Sequence, residues 1–174
     1  MTQLKTSKRW ISLFVENQVG VLSKISGLFS AKSYNLESLT VGVTEDPTIS
    51  RMTIETVSDD ETFEQIKKQL NRFVEVIKLI DFTNNSVYMK ELLYVKVKKC
   101  TKEDKNELFQ IAETFSARVV DYGTDSLTLQ FVQAAVQNDS VIQLMKEEFS
   151  NIEVVRGGNV GIEAINRAGR RHDG

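Results

Sequence analysis

Between residues 16 and 23 the chain carries groups suited to holding a small zwitterion: Glu16-Asn17-Gln18-Val19-Gly20-Val21-Leu22-Ser23. The order reads as a strand end, a tight loop with glycine, and a helix start. The first N–H groups of a helix have no partner within it and lie at the positive end of its dipole. A carboxylate placed there gains charge-assisted hydrogen bonds. Gly20 keeps open the space that such an anion needs. Asn17 offers an amide that can donate to a carboxylate and accept from an ammonium group. A second amide, Asn35, follows Tyr34 at the start of the next strand. Carboxylate, ammonium and a small apolar side chain describe a free amino acid. An Asn shortly before a Gly at a helix start also serves as a plain cap and turn, so spacing alone leaves both readings open.

Covalent or metal chemistry finds no comparable support. The single histidine, His172, stands third from the end, a poor base for a triad or a metal site. The acids of Asp59-Asp60-Glu61 suit a helix start, and Glu103, Asp104 and Glu107 suit a solvated helix face. Gly157-Gly158-Asn159-Val160-Gly161 lacks the Gly-Lys-Ser/Thr ending of a phosphate loop and reads as a flexible exit from the last strand. Cys100 is the only cysteine, which excludes an intrachain disulfide; Lys98 and Lys99 beside it would lower its pKa. Twenty-two basic residues against 24 acidic ones leave a net charge of −2, without the basic excess that nucleic-acid binding needs. Arg167, Arg170 and Arg171 form the one basic concentration and read as a solvated tail. No apolar run approaches a membrane span, and the N-terminus shows no signal-peptide pattern. The expectation is a soluble, cytoplasmic protein that binds neither nucleic acid nor membrane.

The elements that position these groups follow from hydrophobic period. Trp10 to Glu16 alternates as a strand, with Ile11, Leu13 and Val15 on one side. From Val21 the period becomes helical, with Val21, Leu22, Ile25, Leu28 and Phe29 on one face. Tyr34 to Val43 and Ile49 to Val57 read as strands joined by a turn at Glu45-Asp46-Pro47-Thr48, which holds the only proline. A helix opened by Ser58-Asp59-Asp60-Glu61 buries Phe63, Ile66 and Leu70, and Val74 to Leu79 closes the unit as a strand. The order β-α-β-β-α-β predicts an α+β, ferredoxin-like arrangement with both helices on one face of an antiparallel sheet. Ser12, Thr40, Thr53 and Glu55 fall on the other face with Trp10 and Phe14, a mixture suited to being half covered.

The polar stretch Thr83-Asn84-Asn85-Ser86 reads as a linker, and the same order of elements follows it. Leu93, Val95 and Val97 alternate; Thr101 caps a helix carrying Leu108, Ile111, Ala112 and Phe115. Arg118 to Tyr122 and Ser126 to Val132 form a hairpin. A helix with Val141, Leu144, Met145 and Phe149 precedes a closing strand, Ile152 to Arg156. Domains of about 80 residues bury only roughly 60–65% of their surface, so docking or oligomerisation is expected.

Residues 17–29, Asn-Gln-Val-Gly-Val-Leu-Ser-Lys-Ile-Ser-Gly-Leu-Phe, resemble the opening of an ACT domain. The continuation Tyr34-Asn35-Leu36-Glu37-Ser38-Leu39-Thr40-Val41, then Asp46-Pro47 and Ser50-Arg51-Met52-Thr53-Ile54, is similar to the small, regulatory subunits of acetolactate (acetohydroxyacid) synthase. Glu64 to Leu70 and Val74-Glu75-Val76 extend the match, and Glu91 to Val97, Phe115 and Val119-Val120-Asp121 fit the C-terminal domain of that family. Phe131 to Ala135 departs from the Thr-Gly usual after that strand, and Arg156-Gly157-Gly158 replaces an Arg-Ser/Thr-Gly segment.

The resemblance implies two consecutive ferredoxin-like βαββαβ domains, the first an ACT domain. The expected division is an N-terminal tail at 1–9, the ACT domain at 10–82, a linker at 83–87, a C-terminal ferredoxin-like domain at 88–167 and a disordered tail at 168–174. It further implies a subunit without its own active site, metal or cofactor. Such subunits bind and activate a large catalytic subunit, a transferase that uses thiamine diphosphate, FAD and Mg²⁺. They confer feedback inhibition by branched-chain amino acids, most often valine. Effector sites in the family lie between ACT domains of two chains, which implies a homodimer. Asn17, Gly20 and Asn35 are the positions that carry over, with Val21, Leu22 and Ser23 adjacent. Two other classes remain: a free-standing ACT sensor without an enzyme partner, and an acylphosphatase-type hydrolase, whose catalytic Arg–Asn pair has no evident counterpart here.

Overall fold

The computed structural model describes residues 5–83 and 85–165. Among the described residues two units emerge, one of residues 5–83, 85–88 and 161–165, the other of residues 89–160. Strand β1 spans Ser7–Glu16, so the first strand begins inside the stretch expected as a tail. Its alternation places Ile11, Leu13 and Val15 in the core with no exposed surface. Opposite them, β3 (Ile49–Ser58) pairs antiparallel in the register Ile11↔Ile54 and Leu13↔Met52. A slip of one residue would turn both apolar rows to the wrong face, which is why this register is strongly specified. Helix α1 (Val21–Ala31) adds Val21, Ile25 and Phe29 at one-turn spacing. It ends where Ser33 takes a positive φ of 54° and Tyr34 returns its N–H to the Phe29 carbonyl at 2.9 Å.

Strand β2 (Ser38–Val43), helix α2 (Asp60–Leu70) and strand β4 (Val76–Asp81) complete the unit, with sheet order β2-β3-β1-β4. The cap of α2 is Asp59 rather than Ser58: its carboxylate accepts from the Thr62 N–H at 2.8 Å. Phe63, Ile66 and Leu70 face the sheet as expected. On the opposite sheet face, Ser12, Thr53 and Glu55 are buried. There the Arg51 guanidinium donates to Ser12 Oγ at 2.8 Å and pairs with Glu163 at 2.7 Å, lying over the Phe14 ring.

The second unit repeats the order with β5 (Val87–Lys98), α3 (Lys102–Thr114), β6 (Arg118–Tyr122), β7 (Ser126–Gln133), α4 (Ala135–Glu148) and β8 (Ile152–Glu163), arranged β6-β7-β5-β8. Leu93, Val95 and Val97 meet Leu108, Leu129, Phe131, Val141 and Met145 in its core. Thr101 and Asp104 close a capping box, the hydroxyl accepting from the Asp104 N–H at 3.1 Å and the carboxylate from the Thr101 N–H at 2.7 Å. Thr101→Ala is therefore expected to lower stability by about 1 kcal/mol, read by urea denaturation; no change would mean that Asp104 caps the helix alone. Lys105 is buried, and its ammonium group is satisfied by the Gly123 and Thr124 carbonyls at 2.7 and 2.6 Å beneath the Tyr122 ring.

Two expectations change. The closing strand does not stop at Arg156: Gly157 to Gly161 continue it to Glu163. Gly157 and Gly161 answer close approach, and Gly158 takes a positive φ of 79°. A Cβ at Gly161 would stand 2.8 Å from the Phe82 ring, and one at Gly157 would press the Leu92 carbonyl at 3.3 Å. The end of β8 accordingly belongs to the first unit, against the expected 88–167 division. Cys100 is buried, and burial together with the Asp104 carboxylate pushes its thiol up, outweighing Lys105. The expected tail at 168–174, with His172 and the Arg167, Arg170 and Arg171 cluster, lies outside the described residues. No described helix is long and apolar enough to cross a membrane.

Candidate effector site

Strand β1 ends at Glu16, whose N–H reaches the Glu75 carbonyl at 2.9 Å. The next residue leaves the strand but stays tied to the β2–β3 turn. The Asn17 N–H donates to the Thr48 carbonyl at 2.7 Å, and its Nδ2 donates to the Pro47 carbonyl at 2.9 Å. Asn17 Oδ1 accepts from the Ser50 hydroxyl at 3.0 Å. The amide expected to read a ligand is thus also the clamp that fixes the loop. It keeps one N–H and one oxygen lone pair beyond these bonds.

Gly20 is the N-cap of α1 with φ 89° and ψ −11°, the left-handed region that glycine enters without steric cost. A Cβ built there meets nothing within 4 Å, so the space above the helix start is open. No side chain caps α1, and its first turn holds no acidic residue. The positive helix end is therefore neither bonded nor neutralised from within the helix. Val21 is buried and contributes its side chain to the core, while Leu22 and Ser23 are exposed. Lys24 pairs with Glu75 and holds that carboxyl below the usual range, joining the first turn of α1 to the approach to β4. An open cavity of about 460 Å³ lies beside the loop, with Asn17, Gln18, Pro47 and Ile77 in its walls.

Asn35 does not join this group. Its side-chain oxygen accepts from the Val57 N–H at 3.2 Å, at the end of β3 opposite to Ser50. Ser50 and Val57 lie seven residue steps apart along the strand, roughly 23 Å at about 3.3 Å per residue. Within one chain the structure gathers Asn17, Gly20 and the first turn of α1, and leaves Asn35 at the far end of the sheet. Pro47, Thr48 and Ser50 were not candidates by sequence. The turn-forming Asp46-Pro47-Thr48 signal and the family resemblance at Asp46-Pro47 and Ser50 to Ile54 marked that segment, and nothing in it indicated a bond to a residue about 30 positions earlier.

An uncapped helix start beside a clamped amide, on a β-α-β-β-α-β unit followed by a second such unit, defines an ACT-type regulatory protein. Residues 11–78 match the family of AHAS small subunit-like ACT domains, and residues 90–165 match the small subunit of acetolactate synthase. The acetolactate synthase small subunit of Haemophilus influenzae is 37% identical over 155 residues, covering 89% of this chain and 94% of that one. The isozyme 3 small subunit of Escherichia coli is 35% identical over the same length and coverage. The crystal structure of the small subunit from Thermotoga maritima superposes with a TM-score of 0.82 at 31% identity, covering 92% of this chain and 99% of that one. The chain belongs to the acetolactate synthase small-subunit family. That membership carries a regulatory role and implies a catalytic large subunit as partner.

Proposed function

We propose that this chain is the non-catalytic subunit that binds and activates the catalytic subunit of acetolactate synthase and makes it subject to feedback by branched-chain amino acids, valine foremost. Thiamine diphosphate, FAD and Mg²⁺ would then reside in the catalytic partner, in the cytoplasm. The observation that carries the reading is the open, uncapped start of α1 at Gly20, with the Asn17 amide held beside it. The effector's carboxylate would take the helix N–H groups, and its ammonium group the free lone pair of Asn17.

The same reading gives Asn35 a place. Strand β2 is an edge of its sheet, with Val41 and Val43 exposed. Edge strands that present unpaired N–H and C=O groups favour pairing with a second chain. Two β2 strands joined antiparallel about a two-fold axis run in opposite directions, so Asn35 of the partner subunit comes to the end that carries Asn17 and Gly20. A ligand there would touch both chains and could bias the dimer.

Calorimetric titration with valine, isoleucine and leucine, with lysine and serine as controls, tests the reading. Selective branched-chain binding, by the chain alone or with its catalytic subunit, is expected; none in either state would reject it. Asn35→Ala is expected to weaken valine binding by about tenfold, one hydrogen bond to a charged ligand, while sedimentation still shows a dimer. Unchanged affinity would remove Asn35 from the site.

A further inference from the structure

Resting on that reading, we propose that Ser50 is a positioning residue that sets the site's requirement for an α-ammonium group, by fixing the oxygen of the Asn17 amide. Three bonds join Asn17 to the β2–β3 turn and the start of β3, and they are not equivalent. The Thr48 and Pro47 carbonyls can only accept, so they hold the Asn17 backbone N–H and Nδ2. They determine where the nitrogen end of the amide lies and leave its oxygen free to swing about the Nδ2 bond. The Ser50 hydroxyl, donated to Oδ1 at 3.0 Å, stops that swing. Ser50 is 6% exposed, so water does not readily take over the role of its hydroxyl.

The division of labour follows from the atoms involved. A ligand's carboxylate is served by the helix N–H groups of α1, which owe nothing to Ser50. Its ammonium group is served by the second lone pair of Asn17 Oδ1, whose direction depends on the Ser50 bond. Ser50 therefore acts on which ligand is preferred, and only through Asn17.

The test compares valine with 3-methyl-2-oxobutanoate, its keto analogue, which keeps the carboxylate and branched side chain and lacks the ammonium group. Affinities are read by calorimetry and competition on the full chain with its catalytic subunit, for wild type, Ser50→Ala and Ser50→Thr. Ser50→Ala is expected to weaken valine about tenfold, leave the keto acid within twofold of wild type, and so cut the preference between them about tenfold. Ser50→Thr, which keeps the hydroxyl, is expected to restore valine binding. Equal losses for both ligands would show a loop that has merely loosened and would overturn the inference, as would an unchanged valine affinity. Wild-type protein that binds no branched-chain ligand in any state would overturn the effector reading itself, a result distinct from either.

Discussion

Gly20→Asp is expected to abolish feedback, raising the valine concentration for half-inhibition of the reconstituted synthase by at least about 100-fold, the upper part of the range for allosteric coupling. The backbone there has a φ of 89°, which costs an L residue about 1–2 kcal/mol, least for Asp and Asn. Added atoms meet no neighbour within 4 Å, so the fold accommodates the side chain. The new carboxylate lies at the uncapped, unneutralised start of α1, where a negative charge is stabilising by typically 0.3–1 kcal/mol. Strain and capping nearly offset each other, and the thermal midpoint should move little. The anion position is then filled from within the chain, and an incoming carboxylate meets a like charge. Gly20→Ala separates the two effects: it carries the strain without the charge and should shift the inhibition curve far less. Full valine sensitivity in a folded Gly20→Asp protein would rule out the helix start as the effector's anion site.

The largest expected change in stability lies in the second unit. Glu91 is buried at 4% exposure and accepts from Arg156 Nε and Nη2, at 2.9 and 2.8 Å, and from the Asn138 amide at 2.9 Å. Arg156 also pairs with Asp139 at 2.6 Å, so one guanidinium ties β8 to β5 and α4. Arg156→Met leaves the Glu91 carboxylate buried with only an amide for company. Such broken pairs cost about 3–5 kcal/mol, and the low end applies because the Arg156 side chain is 37% exposed and water can reach the gap. A loss of about 3 kcal/mol lowers the melting midpoint by roughly 6–12 °C in a chain of this size. Adding Glu91→Met to Arg156→Met should recover most of that loss, because no charge is then left buried. A single-variant loss below about 1 kcal/mol in urea denaturation would show that Glu91 is hydrated in spite of its burial.

Much of the candidate site was legible before any coordinates. Gly20 stands where the period changes from two to 3.6, and a glycine between strand and helix signals an unusual backbone angle. Asn17 was expected, from its side-chain chemistry, to contact a ligand. The role the structure gives it, clamping the loop to Pro47 and Ser50, was not legible. Those bonds depend on the β1–β3 register that sets Val15 opposite Ser50, a property of the sheet rather than of either segment. The misread run from Gly157 to Gly161 has the same origin. Glycines suggest a flexible exit when only the chain is considered. In the fold Gly161 and Gly157 are the residues small enough to pass the Phe82 ring and the Leu92 carbonyl.

By itself, then, the sequence determined the elements, their order and the two cores, because periodicity and capping are written within ten or so consecutive residues, and the resemblance of several separated segments pointed to the family. Tertiary structure alone decided that Asn17 is held by three bonds, two of them to its side-chain amide, from the β2–β3 turn and the start of β3 about 30 residues away. It also decided that Asn35 lies at the opposite end of the same sheet, that the last strand returns to the first unit, and that Glu91 is buried under Arg156. Each of these depends on which distant residues meet. Hydrogen bonds and close packing reach only a few ångströms, and sheet register, which no local pattern spells out, sets who falls within that range.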